Sequence, residues 1–260
     1  MNNLNLSPED FENAWKLYEA EKINPLTREN MFKGGIYSIL SSRENYQKQM
    51  IVFNRLMDHG LDNPESILRD DKRLRNIVRK SGFYNQKIEA IYRLSHAWSK
   101  SNLPEEILKD SENGRKKGFE LRERIDGEVY GMGYKCASLF LRMCDYLDLA
   151  IIDRHVLEGI EELASDFELP KDYKIRGISD KKYLEIEEII AKLAKENNVE
   201  TAIMSMFFYY RDSQFKNGFQ RELNLGCEFN IISRKRVKPM EGSNNKFKPD
   251  RAVQKILFDK

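Results

Sequence analysis

Cysteine and histidine are scarce in this sequence, with three of each among 260 residues. Cys136 and Cys144 fall within one predicted helix, Cys227 lies far from both, and no C-x-x-C pair occurs. This arrangement supports neither a disulfide framework nor a zinc or iron–sulfur site with cysteine ligands. The histidines are scattered as well, so we expect no protein-bound metal centre.

Long apolar runs are also missing. No stretch approaches the roughly 18–20 uncharged apolar residues that a membrane-spanning helix needs. The first residues, MNNLNLSPEDFENAW, lack the basic and then apolar layout of a signal peptide. We therefore expect a cytoplasmic protein that does not act at a membrane.

The sequence has no large excess of either charge, since 44 Lys and Arg residues and 42 Asp and Glu residues give a net charge of +2. The charges are unevenly placed. Residues 217–260 carry ten basic and five acidic side chains, a net of +5, which leaves −3 for the first 216 residues. We interpret residues 217–260 as a basic C-terminal extension. Such a segment can bind phosphate backbones or can simply be solvated, and its charge does not decide between the two.

The apolar spacing is helical along most of the chain, and strand signals are confined to LAII at 149–152 and to residues 228–237. We therefore predict an all-α fold. The length is sufficient for two compact subdomains. Helix start and stop signals predict two further helices. One spans 70–82 and ends at Gly82 as its C-cap, and the other spans 111–125.

Two glycines in the stretch YGMGYKCASLFLRMCDYLDLAIIDRHVL (130–157) predict a tight hairpin. Gly131 and Gly133 permit positive φ or close backbone approach just before a helix that starts near Tyr134. The backbone N–H groups of such a turn, together with the start of the helix, form a phosphate-sized anion site. A plain turn with no ligand is the alternative reading of the same residues.

The same stretch can bring a lysine and an aspartate together. A helix from Tyr134 to Cys144 is roughly 15 Å long at about 1.5 Å per residue. The LAII segment, extended at about 3.3 Å per residue, then carries the chain back by a similar distance. Asp153 can therefore arrive beside Lys135.

The surroundings of these two residues suggest complementary roles. Lys135 lies in the first turn of its helix, where the positive end of the helix dipole disfavours an ammonium and leaves a neutral amine, the nucleophile of Schiff-base chemistry. Asp153 is placed to cap the next helix, and its carboxylate can accept a proton or stabilise a nearby cation. A surface lysine and a simple helix cap are the alternatives.

The motifs GMGYKCASLFLR and LAIIDRHVL resemble the helix-hairpin-helix DNA glycosylase/AP lyase superfamily, in particular its compact archaeal-type 8-oxoguanine DNA glycosylases. The similarity continues into ISDKKYLEIEEII (178–190) and FFYYRDSQFK (207–216), and more weakly back to residues 38–49 and 81–93. It covers roughly residues 30–216.

The resemblance implies an enzyme of base excision repair that flips a damaged base out of double-stranded DNA. By position, Lys135 would attack the sugar C1′ and form an imine, after which β-elimination cuts the strand. Asp153 would activate the lysine and stabilise charge. The backbone at Gly131 and Gly133 would grip a phosphate, with a monovalent cation as the one ion expected at the hairpin.

The resemblance also assigns residues to the space around the flipped base. Phe83 and Phe208 are candidates to sandwich the base, with a core position as the alternative for each. Arg43 and Asn45 lie in the turn that would fill the gap left in the duplex.

The fold implied by the resemblance has two helical subdomains on either side of a DNA-binding cleft. A six-helix domain with the hairpin would span 27–150, and residues 1–26 and 151–216 would form a discontinuous second domain ahead of the extension at 217–260. We expect a monomer without an iron–sulfur cluster or other cofactor, associated with the nucleoid if the cell is prokaryotic.

The chain departs from the compact enzymes near the base pocket. It runs 44 residues beyond Lys216, where those enzymes end, and Met204 stands where an acidic residue is expected. We predict 8-oxoguanine as the base, with an oxidised pyrimidine or a deaminated purine as alternatives. A non-catalytic DNA-binding module is the third possibility, but binding phosphate requires neither Lys135 nor Asp153.

Overall fold

The computed structural model describes residues 6, 8–44, 46–163 and 178–217, and no strand occurs among them. The all-α prediction is confirmed, while the predicted strand at 228–237 and the extension beyond residue 217 lie outside the described residues. None of the described helices is long and apolar enough to span a bilayer. After a short 3-10 helix (Pro8–Phe11) the helices are α1 (Glu12–Glu21), α2 (Arg28–Leu40), α3 (Tyr46–Asp58), α4 (Pro64–Arg69), α5 (Asp71–Val78), α6 (Tyr84–Lys100), α7 (Leu103–Glu112), α8 (Gly118–Glu128), α9 (Tyr134–Met143), α10 (Arg154–Leu163), α11 (Asp180–Glu196) and α12 (Thr201–Asn217).

The predicted helix over 70–82 is too long, and Gly82 is not its C-cap. The helix α5 ends at Val78. The residue with positive φ in the following turn is Phe83, at 53°, and Gly82 instead donates its backbone N–H to the carboxylate of Glu44. The helix therefore ends four residues before the predicted C-cap.

The predicted helix over 111–125 is interrupted in the structure. The helix α7 ends at Glu112 and α8 begins at Gly118. Gly114 and Arg115 between them have φ values of 90° and 54°, which an α-helix does not accept. The helix that leads into the hairpin is consequently α8 alone.

Buried apolar side chains form two hydrophobic cores. The first core lies among α2–α9, and the second among α1, α10, α11 and α12. The described part of residues 27–150 contains eight helices, whereas six were expected. Prominent members of the first core are Met31, Phe32, Ile36, Phe53, Trp98 and Phe140, and of the second Phe11, Tyr18, Ile160, Ile186 and Phe207.

The LAII segment runs between the two cores without forming a strand. Leu149 and Ile151 belong to the first core, whereas Ala150 and Ile152 belong to the second. This alternation is the period of extended chain, in which successive side chains point to opposite sides. The segment therefore delivers Asp153 at the junction of the two cores.

Candidate active site

The predicted hairpin connects α8 to α9. Gly131 at its tip has a φ of 89°, which a residue with a side chain rarely adopts. A Cβ atom at this position would lie 3.1 Å from the Cβ of Ala90 and 3.7 Å from the carbonyl oxygen of Gln86. The glycine thus permits both the turn and the close approach of α6 to the hairpin.

The start of α9 is open to an anion. Its N-cap is Gly133, which has no side chain to accept a backbone N–H of the first turn. Those N–H groups lack partners within the helix and carry the positive end of its dipole. A carboxylate oxygen of Asp126 lies 3.7 Å from the Cβ position of Gly133, and burial raises the pKa of Asp126, reinforced by the charges of Asp180 and Glu123. The hairpin therefore presents N–H donors and one carboxylate together.

Lys135 is half-buried in the first turn of α9, between two residues that are fixed by neighbours. The hydroxyl of Tyr134 donates to Glu123 at 2.5 Å, and this hydrogen bond raises the pKa of Tyr134 to about 12. Cys136 is buried, and its carbonyl oxygen accepts the hydroxyl of Ser38 in α2. The backbone that carries the amine is held on both sides.

Asp153 caps α10, as the sequence predicts. Its Oδ1 accepts the backbone N–H of Val156 at 3.1 Å, and its carbonyl oxygen accepts that of Leu157 at 3.0 Å. A cap of this kind contributes about 1 kcal/mol. The carboxylate therefore lies at the positive end of α10, just after the segment that separates the two cores.

The LAII segment forms its hydrogen bonds with side chains from α11 and α12 and not with a partner strand. The N–H groups of residues 150–152 are accepted, in that order, by Glu187 Oε1 at 2.9 Å, Ser205 Oγ at 3.3 Å and the Tyr183 hydroxyl at 3.2 Å. An unpaired buried N–H is costly, so these three acceptors fix the path of the segment.

A buried ion pair connects this segment to the hairpin helices. Arg122 of α8 is fully buried, and its Nη1 lies 2.6 Å from Glu187 Oε1 and 3.3 Å from Ser138 Oγ. Its guanidinium carbon lies 4.8 Å from the ring centroid of Tyr134 and 5.7 Å from that of Tyr183. Burial lowers the pKa of Arg122, but the hydrogen bond and charge of Glu187 outweigh it, so the net shift is upward.

The same network brings the surroundings of Lys135 and Asp153 together. Ser138 lies one helical turn after Lys135, and its Oγ is 3.4 Å from the hydroxyl of Tyr183. That hydroxyl also accepts the N–H of Ile152, the residue before Asp153. Tyr183 therefore contacts near neighbours of both predicted reactive residues.

Arg142 places a basic group near Asp153 from the last turn of α9. It is buried and pairs with Glu21 of α1. Burial lowers the pKa of Arg142 to about 10, while the charges of Tyr209 and Asp153 oppose the shift. The charge of Asp153 thus acts on a buried guanidinium of α9.

Arg43 and Phe83 form a second wall beside the hairpin. Both have positive φ, and the guanidinium carbon of Arg43 lies 4.8 Å from the ring centroid of Phe83. Phe83 is 52% exposed. It precedes α6 by one residue, and Gln86 in the first turn of α6 faces Gly131. The structure thus brings two predicted site residues together, whereas Asn45 lies outside the described residues.

Phe208 is not placed as predicted. Its side chain is 0% exposed within the second core, with its ring 5.6 Å from that of Phe207. Its carbonyl oxygen would lie 2.9 Å from a Cβ at Gly159, so α10 and α12 pack in close contact there. The core alternative applies, and the stacking role predicted for Phe208 is corrected accordingly. Met204, one turn earlier, is also fully buried.

Several buried charged residues escaped the sequence-based prediction. Lys87 in α6, Arg122 in α8 and Glu187 in α11 are 3%, 0% and 3% exposed. Each occupies a position of its helix three or four residues from buried apolar side chains. A charged residue on an apolar stripe is the signal that would have identified them. The described residues contain no group of three His, Cys, Asp or Glu side chains suited to a metal ion.

Comparison with known sequences points to one family. Residues 10–199 match the sequence model of the family described as 8-oxoguanine DNA glycosylase. The 8-oxoguanine DNA glycosylase/AP lyase of Sulfolobus acidocaldarius is 29% identical over 192 residues, which cover 73% of this chain and 85% of that protein. The protein of the same name from Methanocaldococcus jannaschii is 29% identical over 195 residues, covering 75% and 86%.

Solved structures give the same result. The crystal structure of Methanocaldococcus jannaschii 8-oxoguanine glycosylase/lyase in complex with a 15mer DNA containing 8-oxoguanine aligns with a TM-score of 0.58 and 25% identity, over 79% of this chain and 90% of that one. The 8-oxoguanine DNA glycosylase of Thermotoga maritima aligns with a TM-score of 0.55 and 23% identity, over 78% and 86%. The second match concerns the fold alone.

Proposed function

The chain belongs to the 8-oxoguanine DNA glycosylase family, and we propose that it excises 8-oxoguanine from double-stranded DNA through an imine on Lys135. It is an enzyme of base excision repair with glycosylase and AP lyase activity. One observation supports the assignment of residues: the Tyr183 hydroxyl contacts both Ser138, one turn after Lys135, and the N–H of Ile152, the residue before Asp153.

In the first step the neutral amine of Lys135 forms a bond to C1′ of the extruded nucleotide. The bond from C1′ to the base breaks, and the base leaves with the electron pair and takes up a proton. The developing positive charge on the sugar is stabilised by the carboxylate of Asp153. Because the carboxylate is fixed by the cap of α10, it does not have to reorganise during the reaction.

In the second step the amine linkage becomes an imine. A proton passes from the nitrogen to O4′ as the C1′–O4′ bond breaks and the sugar ring opens, which gives the protonated imine between Nζ of Lys135 and C1′. The imine acidifies the proton on C2′, and its removal expels the 3′ oxygen. The strand is thereby cut by β-elimination, and hydrolysis of the imine returns the lysine.

The hairpin is proposed to bind the DNA backbone. The open N–H groups at the start of α9 and the backbone at Gly131 and Gly133 suit a phosphate oxygen. A monovalent cation fits the same hairpin, because the carboxylate of Asp126 lies beside Gly133 and would otherwise face the phosphate. We propose no further cofactor, since the amine and the carboxylate supply the nucleophile and the charge stabilisation.

Phe83 and Arg43 are proposed to interact with the extruded base and with the gap that it leaves. Extrusion costs a few kcal/mol, and stacking of a base on an aromatic ring returns about 1–3 kcal/mol. The exposed ring of Phe83 is available for this contact. We further propose that the enzyme acts as a monomer in the cytoplasm, at the nucleoid of a prokaryotic cell.

The test is chemical trapping of the imine. The protein is incubated with duplexes that carry 8-oxoguanine, an oxidised pyrimidine, a deaminated purine or an abasic site, and borohydride is added. We expect a covalent complex with the 8-oxoguanine and abasic duplexes, and none with Lys135→Gln. Lys109→Gln in α7, an exposed lysine away from the site, is the matched control and should trap as the wild type does.

The outcomes separate the alternatives. Trapping that persists in Lys135→Gln would move the nucleophile to another residue. Trapping on abasic DNA combined with release of a different base would assign another lesion to the pocket. Absence of any covalent complex on all four duplexes would leave only a DNA-binding function.

A further inference from the structure

Two turns beside the hairpin share an unusual backbone feature. Arg43 follows α2 with a φ of 51°, and Phe83 precedes α6 with a φ of 53°. Bulky residues in the left-handed region are strained, and such strain persists only where the surroundings hold it. Both side chains are nevertheless exposed. Packing of these side chains in a core is therefore not what holds the two residues in the left-handed conformation.

A buried acid–base pair holds the two turns against each other. The side chain of Glu44 is 6% exposed, and its Oε2 accepts the backbone N–H of Gly82 at 2.6 Å. The same oxygen lies 3.6 Å from Nζ of Lys87, which donates to Ser81 Oγ at 2.7 Å. Glu44 comes from the first turn, and Gly82 and Ser81 belong to the second. One carboxylate thus connects the residue after Arg43 to the residue before Phe83.

The burial of Lys87 indicates a purpose other than stability. Lys87 is 3% exposed on the apolar face of α6, and burial lowers its pKa although Glu44 opposes the shift. A buried ion pair seldom stabilises a fold more than apolar side chains of the same size would. Pairs of this kind are better explained where they fix one arrangement among several, and here the fixed arrangement is the alignment of the two turns.

That alignment stacks Arg43 on Phe83 next to the helix of the nucleophile. The guanidinium carbon lies 4.8 Å from the ring centroid. Ser38, in the last turns of α2, donates to the carbonyl oxygen of Cys136, the neighbour of Lys135. Gln86, one turn after Phe83, faces Gly131 at the tip of the hairpin. The stacked pair therefore has a defined position relative to both the amine and the phosphate-binding turn.

We propose that Glu44 and Lys87 are positioning residues for base extrusion, which hold Arg43 and Phe83 as one preformed unit at the edge of the site. The inference rests on the proposed function and extends it. The unit presents a cation and an aromatic face to the disrupted base pair, so the guanidinium and the ring do not have to be ordered when the base leaves the stack. Its role ends once the base has departed. Removal of the base and cleavage of a preformed abasic site should therefore depend on it differently.

The experiment compares two single-turnover rates in the full-length protein at saturating enzyme. One is base release from an 8-oxoguanine duplex, and the other is strand cleavage of a duplex with a preformed abasic site. For Glu44→Gln and Lys87→Met we expect base release to slow by roughly 10- to 100-fold, the effect of a misplaced positioning group. Strand cleavage at the abasic site should stay within about twofold of the wild type, because no base has to be extruded.

Lys48→Met is the matched control. Lys48 Nζ also lies 3.6 Å from a carboxylate oxygen of Glu44, but the side chain of this lysine is 47% exposed, whereas that of Lys87 is 3% exposed. It should leave both rates unchanged. Lys87→Arg, which keeps the charge and the donors, should restore part of the base-release rate. A 2-aminopurine placed beside 8-oxoguanine reports extrusion directly, and its fluorescence rise should slow in Glu44→Gln as much as base release does.

The comparison remains decisive if a variant is unstable. Loss of active protein affects both reactions alike, so the ratio of base release to strand cleavage is independent of the folded fraction. A ratio unchanged from the wild type in Glu44→Gln and Lys87→Met overturns the inference. Failure of the wild type to form an imine with abasic DNA would instead overturn the proposed function.

Discussion

Replacing Arg122 by Met tests whether the buried ion pair secures the site. Met keeps an unbranched apolar chain but removes the charge and the donors. Glu187 would remain 3% exposed and would still accept the N–H of Ala150, but without its cation. Breaking a buried pair from one side costs about 3–5 kcal/mol, because the remaining charge is uncompensated.

The expected change can be measured by thermal unfolding. In a protein of this size each kcal/mol shifts the melting temperature by about 2–4 °C, so Arg122→Met should melt about 6–20 °C below the wild type. Arg93→Met is the control, since Arg93 pairs with Glu89 at 2.8 Å with both side chains about half exposed. Exposed pairs of this kind contribute less than about 1 kcal/mol.

The double variant Arg122→Met/Glu187→Leu separates the charge from the packing. It removes the orphaned carboxylate, so it should recover a substantial part of the stability lost in Arg122→Met. Base release by the double variant should remain slow, because the N–H of Ala150 and the path to Asp153 lose their acceptor. A melting temperature of Arg122→Met within 2 °C of the wild type, or normal base release by the double variant, would refute the reasoning.

Two further predictions concern the carboxylate and the thiols. Asp153→Asn keeps an acceptor for the N–H of Val156 but removes the charge, so we expect an unchanged melting temperature and base release slowed about 100-fold or more in single-turnover kinetics; a lowered melting temperature would assign the loss to folding. Burial raises the pKa of the Cys136 and Cys144 thiols, so in a Cys227→Ser background neither should react with Ellman's reagent in native protein at pH 8, and both should react in denaturant. Rapid colour from the native variant would contradict their burial.

The positions of Lys135 at a helix start and of Asp153 at a helix cap were predictable because their determinants are local. The glycines at 131 and 133 mark the hairpin, and the apolar run before Asp153 has the length that returns the chain to Lys135. Extended and helical rises are nearly independent of sequence, so a distance can be inferred from a residue count alone. The resemblance then added the reaction, which geometry could not supply.

The contacts that hold the pair were not predictable in this way. Arg122 and Glu187 are 65 residues apart in the chain, and no local pattern links them. Gly82 donates its backbone N–H to Glu44, 38 residues away in the chain, and a C-cap pattern does not reveal this contact. Phe208 was misassigned because aromatic residues surround it in sequence, and only the close approach at Gly159 decides which side chains are enclosed.

The positive N-terminal ends of α9 and α10 are used in two different ways. The helix α9 begins at Gly133, which has no side chain to cap it, so the positive end of the helix is left for a ligand from outside the protein. The helix α10 begins after Asp153, whose own carboxylate accepts the N–H of Val156 in the first turn. Exchanging the two caps would place a carboxylate where the DNA phosphate is proposed to bind and would remove the charge that is proposed to stabilise the sugar cation. The choice of glycine at one helix start and aspartate at the other therefore fits the proposed substrate, which is anionic and becomes cationic at its reacting carbon.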